Sequence, residues 1–525
     1  MQEEIVAKVT DLQDGEMKEV EIRGLKILLT RLNGRFYAMG GECSHYGGPL
    51  AEGVLCGEHV TCPWHQARFH ATTGDLVDPP ALDAMTRFDA RVEGENVVVT
   101  LPDKPEGRCA PRLAKHNPTT DKRTLVIVGA GAAGNAAAQQ LRHSGYEGRL
   151  VLISQDKELP YDRPPLSKGY LAGQEERESL TLRPAEFFRD ADIELFLGRE
   201  VTEIDAQARM VYLADGGTLA FDGLLLATGG IPRTLAVPGA DLDSVFTLRS
   251  LSDCQAIIAA AAAASQAVVV GASFIGMEAA ASLKQRGLDV TVVGPGAAPF
   301  QRTLGWEIGR LWQEIHQEQG VNFRLGKKVV RLEGSGRVEA VVLDDGQRLP
   351  ADLVLVGVGV RSATDMLKGV NLNLDGSVTV DQYLAFGEGL YAAGDVARFP
   401  DWRTGELIRV EHWQLAELHG FTAAQNLAGR RVEFRGVPYF WTAQYESYLF
   451  YVGHATEWDE IVWHGTLAER RFVAFYVRDN QVLAAAGMGY DHGMAYIAEL
   501  MRAGRMPAPE ALRQGDAKFL AHMKM

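Results

Sequence analysis

The sequence predicts a multidomain chain: an N-terminal all-β domain, two doubly wound α/β units, and a C-terminal α/β domain. Three observations carry this. Strand–glycine turn–helix units stand at 124–138 and, with a following strand, at 267–294. Alternating residues with hairpin turns fill roughly the first 103 positions. A second alternating stretch, rich in aromatic residues, begins near position 433. The expected divisions are 1–103 for the β domain, 104–122 for a linker, 123–245 with 370–432 for the first α/β unit, 246–369 for the second, and 433–525 for the last.

Composition narrows the function. Hydrophobic residues make up 46% of the 525, enough for large cores. Asp and Glu number 68 against 53 Lys and Arg, a net charge of −15, which argues against a nucleic-acid partner. Five cysteines are too few for a disulfide framework. The start, MQEEIVAKVTDL, lacks the basic and apolar regions of a secretory signal. No apolar run reaches the roughly 18 residues of a membrane span, so a cytoplasmic protein is expected. Ala259–Ala264 comes nearest and reads as helix.

In the first segment, Ile27–Thr30 and Phe36–Met39 flank Asn33-Gly34, a two-residue hairpin signal. Val97–Leu101 reads as a closing strand. Between them stand Cys43-x-His45 and Cys62-x-x-His65, each pair among Gly and Pro residues. Two mixed pairs on two loops suit a two-iron cluster, with thiolates on one iron and imidazoles on the other. Zinc is the alternative, although zinc fingers usually pair Cys with Cys and His with His. Cys56, Cys109 and Cys254 read as small buried or unreactive thiols. The next stretch, to Lys122, has three prolines and no apolar period, and reads as a surface tether without elements of its own.

The first α/β unit opens with Thr124–Val128, then Gly129, Gly131 and Gly134 at G-x-G-x-x-G spacing, then an Ala-rich helix. Gly129 permits the turn, Gly131 the approach of a pyrophosphate, and Gly134 close helix–strand packing. The pyrophosphate of a dinucleotide sits on the helix N-terminus. Asp156, just past the strand Leu150–Ser154, stands where the ribose-binding acid belongs. Asp162, Arg163 and Lys168 follow on a loop stiffened by Pro164-Pro165, which delivers a cation suited to an anionic ring. In the second unit Gly271, Ser273 and Gly276 hold the glycine positions. Its next strand, Val290–Val293, ends in Gly294-Pro295 with no ribose acid, leaving NADH versus NADPH open, with Arg302 a candidate for a 2′-phosphate. RVEHWQLAELHGFTAAQNL reads as an amphipathic helix after a polar start, and Gly493–Arg502 reads as a helix.

The stretches LPYDRPPLSK, LLLATGG, GASFIGMEAA, AAGDVARF and EHWQLAELHG together resemble the FAD-dependent pyridine-nucleotide oxidoreductases of the ferredoxin-reductase type, over essentially 123–525. Residues 1–103 resemble a Rieske ferredoxin domain, with RFHATTGDLVDPPA matching the turn and proline loop that cover its cluster. The whole chain thus resembles the Rieske-containing apoptosis-inducing-factor-like oxidoreductases. That resemblance implies two Rossmann-like domains, one for FAD and one for NAD(P)H, and a C-terminal domain of the reductase dimerisation type. A homodimer is left open.

The resemblance also implies roles. Cys43, His45, Cys62 and His65 hold a Rieske-type 2Fe-2S cluster. Gly129, Gly131, Ala132, Gly134, Asp156, Arg163, Lys168, Thr228, Gly229, Gly394, Asp395 and Trp413 bind FAD. Gly271, Ser273 and Gly276 carry the pyrophosphate of NADH or NADPH. Lys168 pairs with Glu278 beside the flavin nitrogen that receives hydride. Trp441 and Tyr445 are open candidates for a flavin wall or partner face. The extra loop cysteines of high-potential Rieske centres are missing, which implies the lower part of the span of about −150 to +300 mV. The Cys-x-x-x-x-Cys pair of disulfide-reducing relatives is also missing, which argues against a disulfide mechanism.

The implied activity is electron transfer from NAD(P)H through FAD to the cluster, to an external one-electron acceptor (a ferredoxin, cytochrome, oxygenase or small oxidant), or to both. Two alternatives are a redox-responsive interaction protein with slow turnover and a quinone or radical reductase.

Overall fold

The computed structural model describes residues 2–515 and 519. Its N-terminal domain is built on a six-stranded antiparallel sheet that closes through Asn96–Leu101, paired on one side with Gln2–Lys8 and on the other with Arg87–Glu93. The hairpin Leu25–Leu32/Arg35–Gly40 turns at Asn33 and Gly34, with φ of 52° and 75°, the double left-handed conformation that two-residue loops require. A second, four-stranded meander runs Val54–Cys56, His59–Thr61, Arg68–His70, Leu76–Asp78.

The first α/β unit has Thr124–Val128 at its centre, with parallel neighbours Arg149–Ile153 and Gly223–Leu226. Ile193–Phe196 extends one side and Leu390–Ala392, returning from far along the chain, the other. The continuous apolar runs are those of strands covered on both faces. Helix Ala132–His143 packs beneath them against Trp413–Leu427. The second unit is a five-stranded parallel sheet, Val245–Thr247, Leu353–Val356, Gln266–Val270, Asp289–Gly294, Asn322–Leu325. A C-terminal five-stranded antiparallel sheet begins at Tyr439–Gln444 and carries helix Asp491–Arg502. Its inner face shares a core with the second unit, through Phe440, Tyr451 and Tyr476. Among the described residues no helix is long and apolar enough to cross a membrane.

Several expectations need correction. The tether is not free of structure: Arg108–Cys109 pairs antiparallel with Ala84–Met85. Further along, the backbone N–H groups of Ala114 and Asn117 donate to Arg142 and Glu147. The alanine run stays helical only to Ala261. Asp352 then takes both N–H groups of Ser265 and Gln266, at 2.9 and 3.0 Å, and starts the next strand. Helix Trp413–Leu427 is covered on nearly every side rather than amphipathic, because a Cβ at Gly420 would lie 2.2 Å from the Ala133 carbonyl oxygen. Its buried polar residues include Gln414, Glu417 and His419. Cys56 and Cys109 are exposed, whereas Cys254 is buried and donates to the Leu166 carbonyl.

Candidate active site

The two glycine turns, the Asp162–Lys168 loop and the start of the C-terminal sheet enclose one cavity of about 1220 Å³. Gly129 adopts φ +106°, and a Cβ there would lie 2.2 Å from the Ala227 carbonyl oxygen. A Cβ on Gly134 would lie 1.8 Å from the Gly129 carbonyl oxygen, so the helix touches its strand only because both residues are glycine. Gly129, Gly131 and Ala132 line the cavity, and Gly134 packs behind them. Arg163 hangs over this helix N-terminus, its guanidinium within 3.7 Å of where a Gly131 Cβ would sit. Burial and the nearby Arg249 charge lower the Arg163 pKa, so protonated Arg163 is under-compensated and suited to an anion. A helix N-terminus with the Arg163 guanidinium above it fits a pyrophosphate.

Asp156 accepts from the Tyr161 hydroxyl at 2.7 Å and lines the same wall. Thr228, Gly229, Gly394, Asp395 and Trp413 line it as well. Asp395 is held by Arg249 at 2.7 Å. Of the three glycine positions of the second turn, Ser273 alone lines the cavity, followed there by Phe274 and Ile275. Gly271 (φ +120°) and Gly276 serve close packing, since a Cβ on each would lie 2.2 and 2.0 Å from a carbonyl oxygen. Arg302 is exposed and outside the lining.

Lys168 Nζ lies 2.8 Å from Glu278 Oε2. Ser167 donates to the same oxygen at 2.6 Å, and Thr442 donates to Oε1 at 2.7 Å. Gln444 donates to Thr442 at 2.9 Å and reaches buried His316 at 2.6 Å. Glu278, 3% exposed, is therefore fully paired, as a buried carboxylate must be. Sequence reading missed Ser167, Thr442 and Gln444. The available signal was the alternation in Tyr439–Gln444, where both polar residues share the inward register of Phe440.

The metal-ligand candidates sit on two loops with the same frame. Cys43 N–H donates to the Gly48 carbonyl and accepts at its own carbonyl from Gly47 N–H. Cys62 does the same with Ala67 and Gln66. The thiols face each other, and a shared hydrogen bond raises the Cys43 pKa and lowers that of Cys62. The imidazoles face each other too, Nδ1 to Nδ1 at 3.1 Å. Burial pushes His45 down to about 4 and His65 well down, keeping both rings neutral and able to bind metal. Among the described residues no three His, Cys, Asp or Glu side chains gather on one ion position. A thiol pair and a separate imidazole pair match the donors of two irons, not one zinc.

This domain lies directly against the cavity wall. His65 stacks obliquely on Trp441, ring centroids 4.3 Å apart, and Trp441 lines the cavity. Tyr439 donates to the Trp64 carbonyl. Arg183 pairs with Asp83 at 2.7 Å, and Thr61 donates to Glu499 at 2.6 Å. Tyr445 is elsewhere, edge-on to His316.

Residues 123–420 match the pyridine nucleotide-disulphide oxidoreductase family, 2–94 the Rieske 2Fe-2S domain, and 439–521 the reductase C-terminal domain. The chain belongs to the ferredoxin-reductase-type oxidoreductases that carry a Rieske domain. It is 38% identical to mouse apoptosis-inducing factor 3, over 99% of this chain and 87% of that protein. With putidaredoxin reductase of Pseudomonas putida it shares 35% identity over 69% of this chain and 87% of the other. A solved covalent putidaredoxin reductase–putidaredoxin complex matches with TM-score 0.72 and 32% identity, covering 76% of this chain and 98% of the other. Members of this family use FAD and NAD(P)H, and the Rieske domain implies a 2Fe-2S cluster.

Proposed function

We propose that this chain moves electrons from NAD(P)H through FAD to its own Rieske cluster, and from there to a ferredoxin-type or other one-electron acceptor. The observation that carries the intramolecular step is the His65–Trp441 contact, which joins the metal-ligand loops to the cavity wall. When bound, FAD exchanges hydride with the nicotinamide and single electrons with the cluster.

The protein's part is to hold and orient. Gly129, Gly131, Ala132 and Arg163 cradle the FAD pyrophosphate, Asp156 takes the ribose, and Thr228, Gly229, Gly394, Asp395 and Trp413 close around the rest. Ser273 meets the nicotinamide coenzyme at its helix N-terminus, with Gly271 and Gly276 shaping that turn. Lys168, fixed by Glu278, places a cation beside the ring, where it stabilises negative charge as hydride arrives. Glu278 accepts from three donors, Ser167, Lys168 and Thr442, and keeps Lys168 in place. Cys43, Cys62, His45 and His65 would hold the cluster, with His65 stacked on Trp441. The cytoplasmic location belongs to the same proposal, and cell fractionation checks it.

An anaerobic NADH titration followed by optical and electron paramagnetic resonance spectra tests the reading. Flavin bleaching with a Rieske-type reduced signal supports it. Bleached flavin beside a cluster that stays oxidised overturns the internal relay.

A further inference from the structure

Asp162 stands between the cavity loop and the Rieske domain. One of its carboxylate oxygens accepts from the Tyr46 hydroxyl; the other is buried and has no hydrogen-bond partner. Tyr46 follows ligand candidate His45 and stacks on it at 3.9 Å. Glu417, from helix Trp413–Leu427, is the nearby acid, and its Oε2 is likewise buried and unpartnered. Asp162 is 6% exposed and Glu417 2%. Two carboxyl groups this buried, each with a bare oxygen, cannot both stay ionised.

The reaction leaves a proton behind. NAD(P)H gives up a hydride, two electrons and one proton, whereas two oxidised clusters take only the electrons. The balance is NAD(P)H plus two oxidised clusters giving NAD(P)+, one proton and two reduced clusters. Each electron also places a negative charge beside Tyr46, at the edge of the Asp162 site.

We propose that Asp162 is the proton-holding site of this electron transfer, ionised when the cluster is oxidised and protonated when it is reduced, with neutral Glu417 behind it. This rests on the electron route proposed above. The groups facing Asp162 are Tyr46 from the Rieske loop, Lys168 from its own loop, Glu175 after the following helix, and Glu417. Burial, reinforced by Glu175, raises the Asp162 carboxyl to about 6, while Tyr46 and Lys168 pull it down. The site is therefore poised near neutrality. Burial and the Asp162 charge hold Glu417 well above the carboxylate range, so it stays neutral. Lys168 lines the cavity on one side of Asp162. On the other, the Tyr46 hydroxyl closes the site, and the Tyr46 side chain, 47% exposed as a whole, reaches the surface.

The test is a reduced-minus-oxidised infrared difference spectrum of the full-length holoprotein, reduced by NADH in one sample and dithionite in another. Cluster reduction is expected to bring up a protonated-carboxyl band that Asp162→Asn lacks and Glu175→Gln keeps. The cluster potential should fall with rising pH above about pH 6 in the wild type. It should change less steeply in Asp162→Asn. If Asp162→Asn does not fold, Tyr46→Phe replaces it, and the carboxyl band should shift in frequency. No carboxyl band in the wild type, or an unchanged band in Asp162→Asn or Tyr46→Phe, overturns the proposal. A band with dithionite but no cluster reduction by NADH upholds the proton site and sinks the electron route instead.

Discussion

The His65 imidazole and the Trp441 indole lie 4.3 Å apart, centroid to centroid, so the Rieske domain meets the flavoprotein through a candidate metal ligand and a cavity-wall ring. Replacing Trp441 by Ala removes that contact. An aromatic pair is worth about 0.5–1.5 kcal/mol beyond its area, so reduction of the cluster should slow up to about tenfold. Flavin reduction by NADH should be unchanged. Stopped-flow traces at flavin and cluster wavelengths separate the two steps; equal slowing of both would refute a bridging role for Trp441.

Lys168→Ala leaves Glu278 buried without its cation. Breaking a buried pair from one side costs about 3–5 kcal/mol of stability. Hydride transfer should slow and the denaturation midpoint should fall. Glu278→Gln keeps one acceptor oxygen for either Ser167 or Thr442 and leaves no unpaired buried charge, so it should cost less stability. Paired chemical denaturation and single-turnover kinetics distinguish the two variants.

Cys43→Ala should abolish the Rieske-type paramagnetic signal and lower the iron content, leaving flavin content and its reduction by NADH intact. One-electron acceptors should then be reduced more slowly. Unimpaired reduction of cytochrome c would show that electrons leave from the flavin and bypass the cluster.

Gly134→Ala places a methyl where the Gly129 carbonyl oxygen already stands. Overpacking of this kind costs about 1–3 kcal/mol and opens the helix–strand contact under the pyrophosphate. Flavin retention after gel filtration should drop, and retention at the wild-type level would contradict the packing account.

Buried histidines set a limit at acid pH. Burial lowers His419 to about 3 and His316 to about 4. The unfolded chain, with histidine near 6.5, binds more protons than the folded one in this window. Stability is therefore complete above pH 6.5 and is lost as pH falls toward 4, on the order of 3 kcal/mol for each residue. Urea midpoints between pH 7 and pH 4 measure the slope, which His419→Gln should flatten.

Much of this organisation was legible in one dimension. The glycine spacing 129/131/134 announces a tight turn because no side chain fits there, and a paired Cys/His spacing announces its ligands because metal chemistry restricts the donors. The hairpin at Asn33-Gly34 follows from the same local logic. The Asp162–Tyr46 bond, the Ser167 and Thr442 hydroxyls on Glu278 and the cover over helix Trp413–Leu427 were not legible. Their partners come from residues 111 or more positions away, or from a second helix whose backbone happens to pass close.

The sequence by itself determined the order of domains, the cofactor chemistry and the ligand candidates, since these depend on short-range backbone geometry and on residue type. Only the tertiary structure decided that the Rieske loops sit on their own chain's cavity, with Trp441 against His65 and Asp162 under Tyr46. It also decided which of the second unit's turn residues faces the cavity. Docking depends on how separately folded surfaces fit together, and the shape of a surface is a property of the packed chain, spread over positions that no spacing rule connects.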